Sequence, residues 1–312
     1  MAVSEPELLH QRPLFSADQP PKNFPLNRIR QHGKILRSIQ QPKKTNDRIK
    51  QVIIEVADGD AAPAAAIPWL NACLEQQRGY SVRVQLEPQA KQRPLLTGHI
   101  SFLSIRDGID SNRIGLLGIC ALGGYAVSAA ATDHRIKAVA TVSGVDIGRF
   151  FREGCDGKQE PQVLQALLDT AGKARTAEAC GEAMQRFPIF PESEADARQA
   201  GQYVYEGWQY YCTPRAAHPR STRMMSWSSV DRIAAFNGFN LIHMISPRPL
   251  LMIVGTKADT RWMTEDAFAQ AGEPKALHWI DGATHVDLYD KAEYVVPAVA
   301  KLSAFYRDQL GK

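Results

Sequence analysis

The chain has 312 residues, enough for one large core or a core with an insert, and its 44% hydrophobic and 22% charged residues are those of an ordinary soluble globular protein. A net charge of +4 is too mild to argue for a nucleic-acid or membrane partner, and no apolar run approaches the roughly 18 residues that span a bilayer. Five scattered cysteines (Cys73, Cys120, Cys155, Cys180 and Cys212) form no CxxC pair and read as reduced thiols, not a disulfide frame or a zinc site; with no charged-then-apolar signal pattern at the start, the expected location is the cytoplasm.

Residues 1–50 are polar, rich in Gln and Pro and locally basic in "RIRQHGKILRSIQQPKKTNDRIK", where no aromatic residues interleave the charges. They read as a solvated, disordered leader and not as a nucleic-acid arm. "QVIIEVA" (51–57) is a β-branched run before "DGDAAP" and predicts a strand. "AAPAAAIPWLNACLEQQRGY" reads as a helix of modest quality, "SVRVQLE" as an edge strand and "PQAKQRPLLTG" as loop. From His99 the pattern becomes regular. "HISFLSIRDG" is helix-compatible, "IGLLGIC" is a buried strand, "ALGGYAVSAAATD" a small-residue helix and "RIKAVATVSG" another buried strand. Strand, helix and strand with short links imply a right-handed crossover and a parallel sheet.

Residues 147–240 break this rhythm with helical stretches ("PQVLQALLDTAGKA", "ESEADARQAGQYVYEGWQYY"), loops and no clear strand, as expected of a helical lid inserted over a sheet. Aromatics are frequent here (Phe150, Phe151, Phe187, Phe190, Tyr203, Tyr205, Trp208, Tyr210, Tyr211 and Trp227); each fits ordinary packing, and together they could line an apolar pocket. The alternation resumes with the strand "RPLLMIVG", the helix "TEDAFAQAG", the strand and loop "KALHWIDGATHVDLYD", and a closing amphipathic helix containing Pro297. The expected core is therefore 51–146 with 241–312.

The stretch "GLLGICALGGYA" places a cysteine where an apolar strand turns into a helix. A buried structural cysteine fits that pattern, and so does a nucleophile held at the tip of a tight turn. Such an elbow needs small residues around its tip. Gly118 stands two before Cys120; Leu122 stands two after it, followed by Gly123 and Gly124. A helix N-terminus behind Cys120 would favour a thiolate and could stabilise an oxyanion. A thiol with a pKa near 8.5 wants a base. Of eight histidines, His285 follows a strand in "DGATHVDLYD", where a base could reach over the sheet edge, and Asp259 in the loop "GTKADT" is the acid expected to orient it. Nucleophile, acid and histidine then follow the chain order of an α/β-hydrolase triad, at the sheet edge where ligands bind.

"RIGLLGICALGGYAVSAAATDHRIKAVATVSGVDIG", "RPLLMIVGTKADT" and "EPKALHWIDGATHVDLYD" resemble the dienelactone-hydrolase-like branch of the α/β-hydrolases, which includes uncharacterised hydrolases and fungal polyketide transferases and thiohydrolases. The resemblance runs from His99 to the C-terminus. It implies a mostly parallel sheet with helices on both faces and a helical lid. It also implies Cys120 as nucleophile, His285 as base and acid, Asp259 as its orienting residue and the Ala121 N–H as an oxyanion donor. The activity implied is cleavage of a small-molecule ester or thioester through an acyl-enzyme, without metal or organic cofactor, nucleic acid or membrane. Two alternatives are transfer of a polyketide acyl chain to an alcohol and a catalytically dead binding scaffold. Leu122 departs from the family pattern, and so do residues 1–98, where only Gly59 stands in for the usual second oxyanion loop; a frame or splice change upstream of His99 would account for the latter.

Overall fold

The structure, a computed structural model, describes residues 52–58, 80–86, 92–219 and 221–311. The expected leader, the helix expected in the sixties and seventies and the Gly59 loop lie outside the described residues. Six strands form one parallel sheet: β1 (Val52–Asp58), β2 (Tyr80–Leu86), β3 (Ile114–Ile119), β4 (Ile136–Val142), β7 (Leu250–Gly255) and β8 (Lys275–Ile280), in the order β2-β1-β3-β4-β7-β8. This is the fold class expected from the alternation of strands and helices. β2 lies at the edge, as expected for "SVRVQLE". The order reverses between β1 and β3, whose neighbours run out to opposite sides. The C-terminal ends of these two strands therefore flank a topological switch point, the place where parallel sheets bind ligands.

The central strands β3, β4 and β7 are mostly apolar because helices cover both faces. Their alternate residues serve two separate cores. Leu116, Val139 and Met252 face α1 (Gln92–Ser104), α2 (Ala121–Thr132) and α8 (Arg261–Gln270). Leu117, Ala138, Ala140, Leu251 and Ile253 face α10 (Ala292–Leu310). α1 begins within the segment expected as loop. Pro94 falls in its first turn, where backbone N–H groups have no intrahelical acceptor, so the N–H that proline lacks removes no helical hydrogen bond. Pro297, by contrast, lies beyond the first turn of α10, where its missing N–H removes one helical hydrogen bond.

Between β4 and β7 the chain forms α3 (Ile147–Glu153), α4 (Pro161–Ala179), α5 (Glu194–Gln199), α6 (Gln202–Cys212) and α7 (Val230–Ala234). It is not strand-free: β5 (Arg186–Pro188) and β6 (Met224–Ser226) pair as a short antiparallel ladder, too brief for a period-two pattern to register. The stretch expected as one helix is divided into α5 and α6 at Gly201, whose φ of 103° no α-helix accommodates. Asp146 ties the two ends of this excursion together. One carboxylate oxygen accepts from the N–H groups of Gly148 and Arg149 at the start of α3. The other accepts from Gly238 and Phe239, where the chain returns.

α2 is made of small residues because it must approach the loop after β4 closely. A Cβ on Gly123 would lie 2.6 Å from the Gly144 Cα, and one on Gly124 would lie 2.8 Å from the Val145 carbonyl oxygen. Both obstacles are backbone and cannot swing aside. Gly123→Ala is therefore expected to cost about 1–3 kcal/mol, read as a lowered denaturation midpoint with unchanged m-value; an unaltered midpoint would show that α2 can recede.

Candidate active site

Cys120 follows β3 and precedes α2 with φ 57° and ψ −131°, a conformation that costs a non-glycine residue about 1–3 kcal/mol. Its backbone is held on both sides. The N–H donates to the Val142 carbonyl at 3.1 Å, and the carbonyl accepts from Val145 N at 2.8 Å and Gly123 N at 2.9 Å. Gly118 permits the turn, since a Cβ there would lie 2.4 Å from the Leu122 carbonyl oxygen. The side chain of Leu122 is wholly buried in the core beneath α2. Ala121 opens the helix, and its N–H has no acceptor among the described residues.

The described structure brings His285 to Cys120: Nε2 lies 3.4 Å from Sγ. The ring is buried, and burial alone pushes its pKa down to about 3, so the imidazole is neutral at physiological pH. The His285 carbonyl accepts from the Ser143 hydroxyl at 3.0 Å; Ser143, at the end of β4, is another non-glycine residue at positive φ.

Asp259 does not reach the imidazole. Lys257 and Asp259 are exposed while Ala258 and Thr260 are buried, so the loop turns the carboxylate outward and its neighbour inward. The group on Nδ1 is the Thr260 hydroxyl, at 2.6 Å. Thr260 is the N-cap of α8, where a threonine oxygen ordinarily accepts from the first turn of the helix. Here it makes no capping bond and is spent on His285. When Nδ1 carries the proton, the Thr260 hydroxyl accepts a hydrogen bond from Nδ1–H and leaves the Nε2 lone pair facing the thiol.

Sequence reasoning missed Thr260 and also Tyr289. α9 (Asp287–Asp290) places Tyr289 one helical turn after His285, and its hydroxyl lies 2.7 Å from His285 Nε2. Aromatic rings of the excursion close over these groups. Tyr203 of α6 sets its edge against His285 with centroids 5.2 Å apart, and Phe150 packs on Tyr203 at 5.3 Å. Tyr210 meets Tyr289 at 5.2 Å and Tyr211 at 4.8 Å. Tyr203, Tyr210 and Tyr211 are spaced i, i+7, i+8, one face of α6. A bidentate Arg215–Asp290 ion pair fastens the segment after α6 to α9.

The four described cysteines form no disulfide, and no group of His, Cys, Asp or Glu side chains among the described residues is arranged to hold a metal. No described helix is long and apolar enough to cross a membrane.

The chain is 31% identical to the uncharacterized protein YcjY of Escherichia coli over 230 residues, 72% of this chain and 74% of that one. It is 26% identical to the polyketide transferase grgF of a Penicillium species over 182 residues, 57% of each chain. The crystal structure of that protein, an alpha/beta hydrolase, matches with a TM-score of 0.66 at 17% identity, covering 85% of this chain and 93% of that one. A hypothetical protein from Pseudomonas aeruginosa matches with a TM-score of 0.75 at 24% identity, covering 86% of each chain. No protein-family model matches.

The burial of His285 fixes a sign for acid stability. Below pH 6.5 the unfolded chain protonates this residue while the folded chain refuses the proton until about pH 3, so the residue's contribution falls as pH falls through that window. A wild-type minus His285→Gln difference in unfolding free energy should therefore fall on acidification, by at most about 1.4 kcal/mol per pH unit. A difference that is flat with pH would show that the ring titrates normally in the folded protein.

Proposed function

Since the chain belongs to the α/β-hydrolase superfamily, in the branch shared by YcjY and the polyketide transferase grgF, we propose that it is an acyl-transferring enzyme with Cys120 as nucleophile and His285 as base. The observation that carries this reading is the 3.4 Å approach of Nε2 to a sulfur held at a strained elbow. Nε2 takes the thiol proton as sulfur bonds to the acyl carbon of an ester or thioester. The carbonyl oxygen gathers negative charge beside the Ala121 N–H. Collapse releases the alcohol or thiol, which takes the proton from His285, and the imidazole then deprotonates the incoming acceptor.

A hydroxyl on Nδ1 suits a sulfur nucleophile. Thr260 can fix the ring and accept a hydrogen bond from its Nδ1–H, but it brings no negative charge to stabilise an imidazolium. A thiol is acidic enough to need less help than an alcohol would. The rings of Tyr203, Tyr211 and Phe150 favour an apolar or aryl acyl group. The acceptor is water in the leading reading; the polyketide transferase relative favours an alcohol as the second, and product analysis with and without added alcohol separates them.

On a panel of p-nitrophenyl esters and acyl thioesters, Cys120→Ala should abolish turnover and His285→Ala should lower it about 10²- to 10⁴-fold. Turnover surviving in Cys120→Ala would overturn the proposal. Thr260→Val should cost about tenfold through a loosened ring, while Asp259→Asn should stay close to wild type. A loss near 10⁴-fold in Asp259→Asn would instead restore the carboxylate as the orienting acid.

A further inference from the structure

We propose that Ser143 is a positioning residue whose buried hydroxyl holds His285 within reach of Cys120. The inference rests on the reading of these two residues as nucleophile and base, and goes beyond it by naming what sets the distance between them. Cys120 and His285 stand 165 residues apart in the chain, yet Nε2 lies 3.4 Å from Sγ. Both backbones are held by one short segment, residues 142–145, at the end of β4. The Val142 carbonyl accepts from the Cys120 N–H at 3.1 Å, and the Val145 N–H donates to the Cys120 carbonyl at 2.8 Å. Between them, the Ser143 hydroxyl donates to the His285 carbonyl at 3.0 Å. The segment is itself anchored. The Ser143 N–H donates to the Ile253 carbonyl of β7 at 2.9 Å, and the Thr264 hydroxyl of α8 donates to the Gly144 carbonyl at 3.4 Å. Nucleophile and base are thus located by the same few backbone atoms, and the hydroxyl is the link that reaches the base.

The residue type fits this role. Ser143 has φ 46°, in the left-handed region where glycine escapes the steric cost that a Cβ carries. A serine bears that cost, and its side chain is wholly buried, so its hydroxyl is directed at the His285 carbonyl and not at solvent. Removing the hydroxyl would leave a buried carbonyl short of a donor and give the loop around His285 a reason to shift. The Thr260 and Tyr289 hydroxyls orient the ring about its side-chain torsions, whereas the Ser143 bond sets the backbone position from which those torsions start.

The test is the rate of Cys120 alkylation by iodoacetamide at neutral pH, followed on the Cys120 peptide by mass spectrometry in the full-length chain, in a double-mutant cycle with His285→Gln. Ser143→Ala keeps the Cβ and removes only the hydroxyl. In the otherwise wild-type chain it should slow alkylation about 3- to 10-fold. In the His285→Gln background the backbone carbonyl remains and the imidazole is gone, so the same change should alter the rate by less than about twofold. Equal slowing in both backgrounds would overturn the proposal, since the hydroxyl would then be holding the elbow and not the base. Should Ser143→Ala not fold, Ser143→Gly also lacks the hydroxyl, suits the positive φ and takes its place in the cycle with the same expectations. The cycle also separates this proposal from the reading beneath it. If His285→Gln slows alkylation and Ser143→Ala does not, the base stands and the role of Ser143 is overturned alone. If His285→Gln leaves alkylation unchanged, His285 is no base for this thiol and the proposal falls with that reading.

Discussion

Cys120 keeps its positive φ because neighbouring backbone leaves it no alternative, and every other feature of the site is arranged around that fact. Its N–H and carbonyl are both engaged by the end of β4 and the loop beyond it, through bonds worth about 0.5–1.5 kcal/mol each. Together these are comparable with the strain they oppose. Gly118 removes the side chain that would collide with the turn, and Gly123 and Gly124 let α2 sit close enough for Val145 to reach the Cys120 carbonyl. The sulfur is thereby presented at the C-terminal edge of the sheet, beside the switch point, on a scaffold whose two cores are built from alternate residues of the same strands.

The second ring of constraint surrounds His285, and it is uncharged. Hydroxyls meet the ring at both nitrogens, Thr260 at Nδ1 and Tyr289 at Nε2, while Ser143 holds its carbonyl. In so buried a place an imidazolium without a counter-charge is costly, and the lowered pKa of the ring expresses that cost. On the proposed reading, a neutral imidazole of this kind suits a thiol, which is more acidic than an alcohol.

The strands and the elbow were legible in the sequence because their physics is local. Fully apolar runs such as "LLMIVG" need two covered faces, and a cysteine flanked by Gly118 and Gly123 between strand and helix announces a tight turn. His285 was legible through its place after the last strand. Asp259 was a miss by one residue: "KADT" contains an acid and a hydroxyl side by side, and only the alternation of burial along the loop decides which faces inward. Tyr289 gave no signal of its own, since a tyrosine one turn after a histidine is also what ordinary packing would place there. The β5–β6 ladder was invisible because three residues are too few to set a period.

The most direct trial of a sulfur-centred mechanism is to catch the acyl group on the protein. The chain is mixed with an aryl thioester, quenched in acid within its first turnovers and digested for mass spectrometry. The expected result is an acyl mass on the Cys120 peptide that forms and decays at the rate of turnover. Product formation with no such adduct, or with the acyl group on a different side chain, would contradict it.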